Sequence, residues 1–105
     1  MSDMQARLLK IRQWRTICAM QIEFDPGKDA INVKKHGVSL VRAVSLFANL
    51  TADRIDLRRD YAEQRRIAYG YVDGRLFVCV YTARDGRHRI ISLRKANSRE
   101  IKRYG

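Results

Sequence analysis

The chain has 105 residues, 46% of them hydrophobic, and its 22 Lys+Arg against 11 Asp+Glu leave a formal net charge of +11. That length supports one hydrophobic core in a soluble globular domain, and no stretch approaches the roughly 18 apolar residues of a membrane span. The charge favours a polyanionic partner: RNA, DNA or an acidic protein fits, and a membrane surface fits less well. Arginine supplies most of the excess, and its planar fork suits bidentate phosphate contacts.

Residues 1–19 are expected to be an N-terminal extension. Leu8, Ile11, Trp14 and Ile17 recur every third residue and fit one face of a short helix, while Met20 offers an alternative translation start. A transit peptide is the weaker alternative, and Lys10, Arg12 and Arg15 interrupt any signal-peptide apolar run. Cys18 and Cys79 show neither C-x-x-C spacing nor the dense pattern of a secreted disulfide scaffold. A reducing, cytoplasmic setting follows, with Cys79 as a small buried hydrophobe.

Residues 20–105 read as a single domain. Gln21 to Phe24 alternates as a half-buried strand, and Asp25-Pro26 offers an N-cap followed by proline at the first helical position. A helix is expected from Pro26 to His36 with Gly37 as its left-handed cap, and a second from an Ser39 N-cap through Leu46. Leu40, Ala43, Val44 and Phe47 then form an apolar face of core type.

Beyond Ala52 the period becomes two, which predicts strands at about 53–58, 64–72, 75–83 and 87–95. Asp73-Gly74 and Asp85-Gly86 fit type I′ hairpin turns, so the last three strands should form a meander. Asn97 and Glu100 form a capping box for a terminal helix ending at Tyr104. The order β-α-α-β-β-β-β-α has too little helix between the late strands for parallel crossovers. The expected class is therefore α+β, a small, mainly antiparallel sheet with the first two helices on one face.

Strict alternation along the last strand would place His88, Ile90, Ser92 and Arg94 on one face and Arg89, Ile91 and Leu93 on the other. A strand with arginine on both faces needs a rim or groove for at least one. Arg84 lies at the adjoining hairpin tip and Arg65 leads an earlier strand. Each has an alternative as a surface residue or an ion pair with Asp56, Asp60 or Glu63. His36 ends the first helix beside Lys34 and Lys35 and has a pKa suited to proton transfer near neutrality. The helix C-terminus would raise that pKa and the lysines would lower it; His36 capping its own helix is the competing role.

No G-x-S-x-G, Walker, Rossmann or H-E-x-x-H motif is present, and two isolated histidines with two distant cysteines make no metal site. Metal-free chemistry on RNA remains open, because RNA carries its own nucleophile in the 2′-hydroxyl and arginines can stabilise the charged phosphorane. Tyr69, Tyr71, Tyr81 and Tyr104 are available to stack on bases or to pack the sheet.

A set of ordered motifs sharpens this. It comprises Phe24-Asp25, Lys28, Asn32, Lys35-His36-Gly37-Val38-Ser39, Ala43, Phe47, Asp60-Tyr61, Glu63, Arg65 and Gly70. Tyr81-Thr82-x-Arg84, Arg89-Ile90-Ile91-Ser92, Arg94, Ala96, Glu100 and Tyr104 complete it. From Met20 to Tyr104 the chain resembles the BrnT family of ribonuclease toxins from type II toxin–antitoxin pairs. Arg66 departs from the aromatic or apolar residue common there, and Leu93 from alanine.

The resemblance implies a RelE-like fold, cleavage of mRNA without a cofactor, and neutralisation in a hetero-oligomer by a BrnA-like antitoxin, which alone contacts operator DNA. It places His36, Arg65, Arg84 and Arg94 as candidate catalytic residues, and Lys28, Lys35, Arg89 and Tyr104 as candidate RNA-binding residues, with Glu63 beside them. Two other readings compete: a non-catalytic RNA-, ribosome- or operator-binding module, and a basic surface that mainly serves an acidic antitoxin.

Overall fold

The computed structural model describes residues 21–58 and 63–105. The readings of an N-terminal helix and of a start at Met20, together with Cys18 and Asp60-Tyr61, lie outside the described residues.

Strand β1 (Gln21–Glu23) leads into helix α1 (Pro26–His36). The Asp25 carboxylate accepts the Lys28 N–H at 3.0 Å, proline occupies the first turn, and Gly37 closes the helix at φ 74° with its N–H on the Val33 carbonyl. A 3-10 turn (Leu40–Arg42) then precedes helix α2 (Ala43–Ala48). Ser39 therefore caps a tighter turn than the expected α-helix. Its hydroxyl donates to Asp29 at 2.9 Å, and the same carboxylate oxygen takes the Leu40 N–H at 2.7 Å, which ties the turn back onto α1.

Strands β2 (Leu50–Ile55), β3 (Arg66–Val72), β4 (Arg75–Arg84) and β5 (Arg87–Lys95) follow, and helix α3 (Ser98–Tyr104) ends the chain. The sheet order is β1-β5-β4-β3-β2, with β1 parallel to β5 and every other pair antiparallel. The sheet is thus mixed but mostly antiparallel, and β3-β4-β5 is a meander. Asp73 and Gly74 both have positive φ, as do Asp85 and Gly86, the type I′ geometry expected of Asp-Gly.

Two expectations need correcting. The strand expected at 53–58 runs from Leu50 to Ile55. Its start is set by pairing with Gly70, and it ends because the Asp56 carboxylate takes the Arg58 backbone N–H at 3.1 Å, a local turn that competes with the ladder. The faces of β5 also differ from strict alternation. Val80 pairs with Ser92 but Tyr81 pairs with Ile90, so Ile91 is an extra, bulged residue. Ile90 and Leu93 both lie in the core beneath the helices, while Ser92 and Arg94 face the opposite side.

The core on the helix face joins Leu40, Ala43 and Leu46 to Ala68, Phe77, Cys79, Tyr81, Ile90 and Leu93. Burial pushes the Cys79 thiol up, in keeping with its reading as a buried hydrophobe. A second apolar cluster on the other face holds Ile67, Tyr69, Leu76, Val78 and Ala96.

Asn32 fastens α1 to β5. Its Nδ2 donates to the carbonyls of Leu93 at 2.8 Å and Val38 at 2.9 Å, and its Oδ1 accepts the Leu93 N–H at 3.2 Å. Strand β1 ends opposite Arg89, so the buried carboxamide takes over as the edge partner of β5.

Asn32→Ala should cost about 3 kcal/mol in urea unfolding, since it leaves buried main-chain groups without partners. Gly70→Ala should cost a similar amount, about 3 kcal/mol by overpacking, because its Cβ would sit 2.2 Å from the Leu46 carbonyl oxygen.

Candidate RNA-binding groove

On the sheet face away from α2, a groove of about 300 Å³ has an apolar floor of Ile67, Tyr69, Val78 and Val80. Its walls are charged. Lys35 and His36 come from the end of α1, Arg54 and Arg58 from β2 and the turn after it, Ser92 and Arg94 from β5, and Glu100 from α3.

Arg94 is held by a two-pronged ion pair, with Nη1 2.8 Å from Glu100 Oε1 and Nη2 2.9 Å from Oε2. Glu100 also accepts the Asn97 N–H at 2.9 Å while the Asn97 side chain accepts the Glu100 N–H at 2.8 Å, so the capping box and the ion pair share one carboxylate. The Arg94 guanidinium and the Asn97 amide hold the Glu100 carboxyl below its ordinary range.

His36 is partly buried at the end of α1, and its pKa is lowered by burial first, then by Lys35 and Arg94. Of the influences left open by the sequence, desolvation and the neighbouring cations prevail, and they favour the neutral imidazole of His36. Asn32, one turn earlier, fixes the height of His36 over β5 through Leu93, the residue next to Arg94.

On the opposite wall the buried Asp56 takes Arg58 through Nε at 2.8 Å and Nη2 at 2.7 Å. Arg54 donates from Nε at 3.3 Å and Nη2 at 3.2 Å to the phenol oxygen of Tyr69. Tyr69 is 1% exposed and is stacked by Tyr104 with ring centroids 4.0 Å apart.

His36, Arg94 and Lys35 are therefore brought together. Tyr104 covers the groove's aromatic floor. Lys28 lines a smaller adjoining pocket of about 150 Å³, which shares Lys35, His36 and Ser92 with the groove and is bounded by the bulged Ile91. Arg65 and Arg84 do not line the groove. Arg65 gives its carbonyl to the Asp56 N–H at 2.8 Å. Arg84, at the exposed end of β4, pairs with Glu63, its Nε at 3.1 Å. Alternation along β4 puts Arg84 on the groove face, four residues and so ~13 Å beyond Val80. Arg89, opposite Thr82, meets Glu23 at 2.8 Å.

Of the tyrosines, Tyr81 is a core residue whose hydroxyl donates to Asp53 at 2.6 Å and whose ring stacks on His88. Arg66 reaches the same Asp53 at 3.1 Å, and Leu93 is fully buried, so both departures from the family pattern lie on the helix face.

Sequence reasoning missed Arg54 and Arg58. Arg54, Asp56 and Arg58 recur with period two, a signal that could have placed them on one face. Glu100 was read only as a cap.

A family model described as "Ribonuclease toxin, BrnT, of type II toxin-antitoxin system" matches residues 24–100. No curated protein matches the chain.

Glu100→Gln should lower stability by about 1–2 kcal/mol at pH 7, through the lost ion pair and weakened cap. Because the folded carboxyl is depressed below 4.5, this contribution is present above the unfolded value and lost as pH falls through the folded one. Thermal melts of wild type and variant should converge as the pH falls below the folded carboxyl's depressed pKa.

Proposed function

From the premise that the chain belongs to the BrnT family of type II toxin–antitoxin ribonuclease toxins, we propose that it cleaves RNA in this groove without a metal ion. The carrying observation is that His36, whose pKa is lowered, and Arg94 reach one groove from separate elements.

In this reading His36 takes the proton of a ribose 2′-hydroxyl. The alkoxide attacks the adjacent phosphorus, the bond to the 5′ oxygen breaks, and that oxygen is protonated from solvent. The products are a 2′,3′-cyclic phosphate and a 5′-hydroxyl. Cations at the walls stabilise the phosphorane, with Arg94 held in place by Glu100. Lys28 and Lys35 receive the backbone on the α1 side, while Arg65, Arg84 and Arg89 meet flanking phosphates along the sheet. Tyr104 supports a base. The fold is read as RelE-like, with both larger helices on one face and the opposite face left to RNA. Cleavage of mRNA in the cytosol would arrest translation until a BrnA-like antitoxin covers the groove.

The test is incubation of the purified chain with RNA in EDTA, with and without ribosomes. Fragments ending in 2′,3′-cyclic phosphate are expected, and RNA that is bound but intact under all conditions would leave only a binding module. His36→Ala should reduce kcat/KM by about 10²–10⁴-fold. Since His36 must be unprotonated and its pKa is lowered from 6.5, the acidic limb of kcat/KM should fall below pH 6.5 and vanish in His36→Ala.

A further inference from the structure

Three arginines line the groove, and their partners differ in charge. Arg58 lies on Asp56 and Arg94 on Glu100, each through two bonds to a carboxylate. Arg54 is held differently. Two of its nitrogens donate to the neutral Tyr69 hydroxyl, and its Cζ lies 5.9 Å from the Tyr69 ring centroid and 5.8 Å from that of Tyr104. Among the described residues no carboxylate comes within ion-pair distance of it, and Nη1 makes no hydrogen bond.

A phosphate approaching Arg58 or Arg94 meets a cation whose charge is already offset by a carboxylate. At Arg54 it meets a guanidinium with no carboxylate bonded to it, only the more distant fields of Asp56 and Glu100, and with donors to spare. The orientation is also set beforehand, since the phenol anchor is buried and the guanidinium lies within 5.9 Å of both ring centroids of the stacked pair, so little side-chain entropy is lost on binding. Arginine suits this place better than lysine, because its fork can give one edge to Tyr69 and another to a phosphate.

We propose that Arg54 is the arginine that grips an RNA phosphate in the groove, with Tyr69 and Tyr104 as its positioning residues. This deepens the RNA-cleaving reading of the groove and rests on it for the identity of the ligand.

The experiment measures binding of the full-length chain to a short 2′-O-methyl RNA, which cannot be cleaved by 2′-hydroxyl attack, across a salt series. Cleavage of the matching unmodified RNA is followed in parallel. Arg54→Ala should weaken binding about tenfold or more and flatten the plot of log K against log salt by about 0.7, the share of one phosphate contact on a single strand. Arg54→Lys should recover the salt slope but only part of the affinity. Tyr69→Phe keeps the charge and loses the anchor, so it should weaken binding with the slope retained. Arg75→Ala, at the β3–β4 turn, should behave as wild type, and circular dichroism confirms that the variants fold.

Arg54→Ala that binds within twofold of wild type with an unchanged slope overturns the assignment. If wild type cleaves and Arg54→Ala matches it in rate and affinity, the Arg54 assignment fails while the ribonuclease reading stands. If wild type leaves RNA intact but Arg54→Ala still loses affinity and slope, the cleavage reading fails and Arg54 remains the phosphate contact.

Discussion

The carboxamide of Asn32 is the constraint on which the rest of this site depends. A three-residue β1 covers only the first part of the β5 edge, pairing with Arg87, His88 and Arg89. Beyond that point the Leu93 N–H and C=O would be buried without strand partners, and Asn32 satisfies both while also taking the Val38 carbonyl. A side-chain amide has the same donor and acceptor as a peptide group, so it can stand in for a strand. The consequence is geometric. Asn32 and His36 are one helical turn apart on α1, so clamping Asn32 to Leu93 holds His36 beside the neighbouring Arg94.

The bulge at Ile91 is the second half of that arrangement. Strict alternation would send Ile90 and Arg94 to the same side, burying the guanidinium under α1 or exposing the isoleucine. The extra residue reverses the phase, so that Ile90 and Leu93 both enter the core while Ser92 and Arg94 turn to the groove. It also projects Ile91 into the adjoining pocket with Lys28 and His36. One local irregularity thus separates the apolar layer from the charged one.

Which parts were legible in the sequence follows from the range of the interactions that set them. The ends of α1 were readable because Asp25, Pro26 and Gly37 act within one turn of the chain, and the hairpins because Asp-Gly adopts positive φ in place. The limits of β2 were misplaced because its start depends on Gly70, a residue of another strand. The bulge was invisible because it is a mismatch between β4 and β5. In the groove, His36 and Arg94 could be named from motif and strand pattern, but Arg54 owes its meaning to Tyr69 and Tyr104, far along the chain. Arg84 looked equivalent to Arg94 in sequence; only the structure shows one pairing with Glu63 at a rim and the other with Glu100 inside the groove.

The charge of +11 is arranged rather than spread evenly. Arg58, Arg84, Arg87, Arg89 and Arg94 each have a carboxylate partner, which limits self-repulsion in the compact state. What remains in the groove includes Arg54 beside Tyr69 and Tyr104 and a histidine whose pKa is lowered by burial, Lys35 and Arg94. Burial first, and then the fields of Lys35 and Arg94, favour the unprotonated form of His36. A bound phosphate would offset part of their field, and the proton affinity of His36 would rise. Linkage makes the two effects reciprocal: phosphate strengthens the base as it binds, and protonation of His36 tightens the hold on phosphate. Under the proposed RNA cleavage, a histidine in that position would become a stronger proton acceptor once a phosphate occupies the groove.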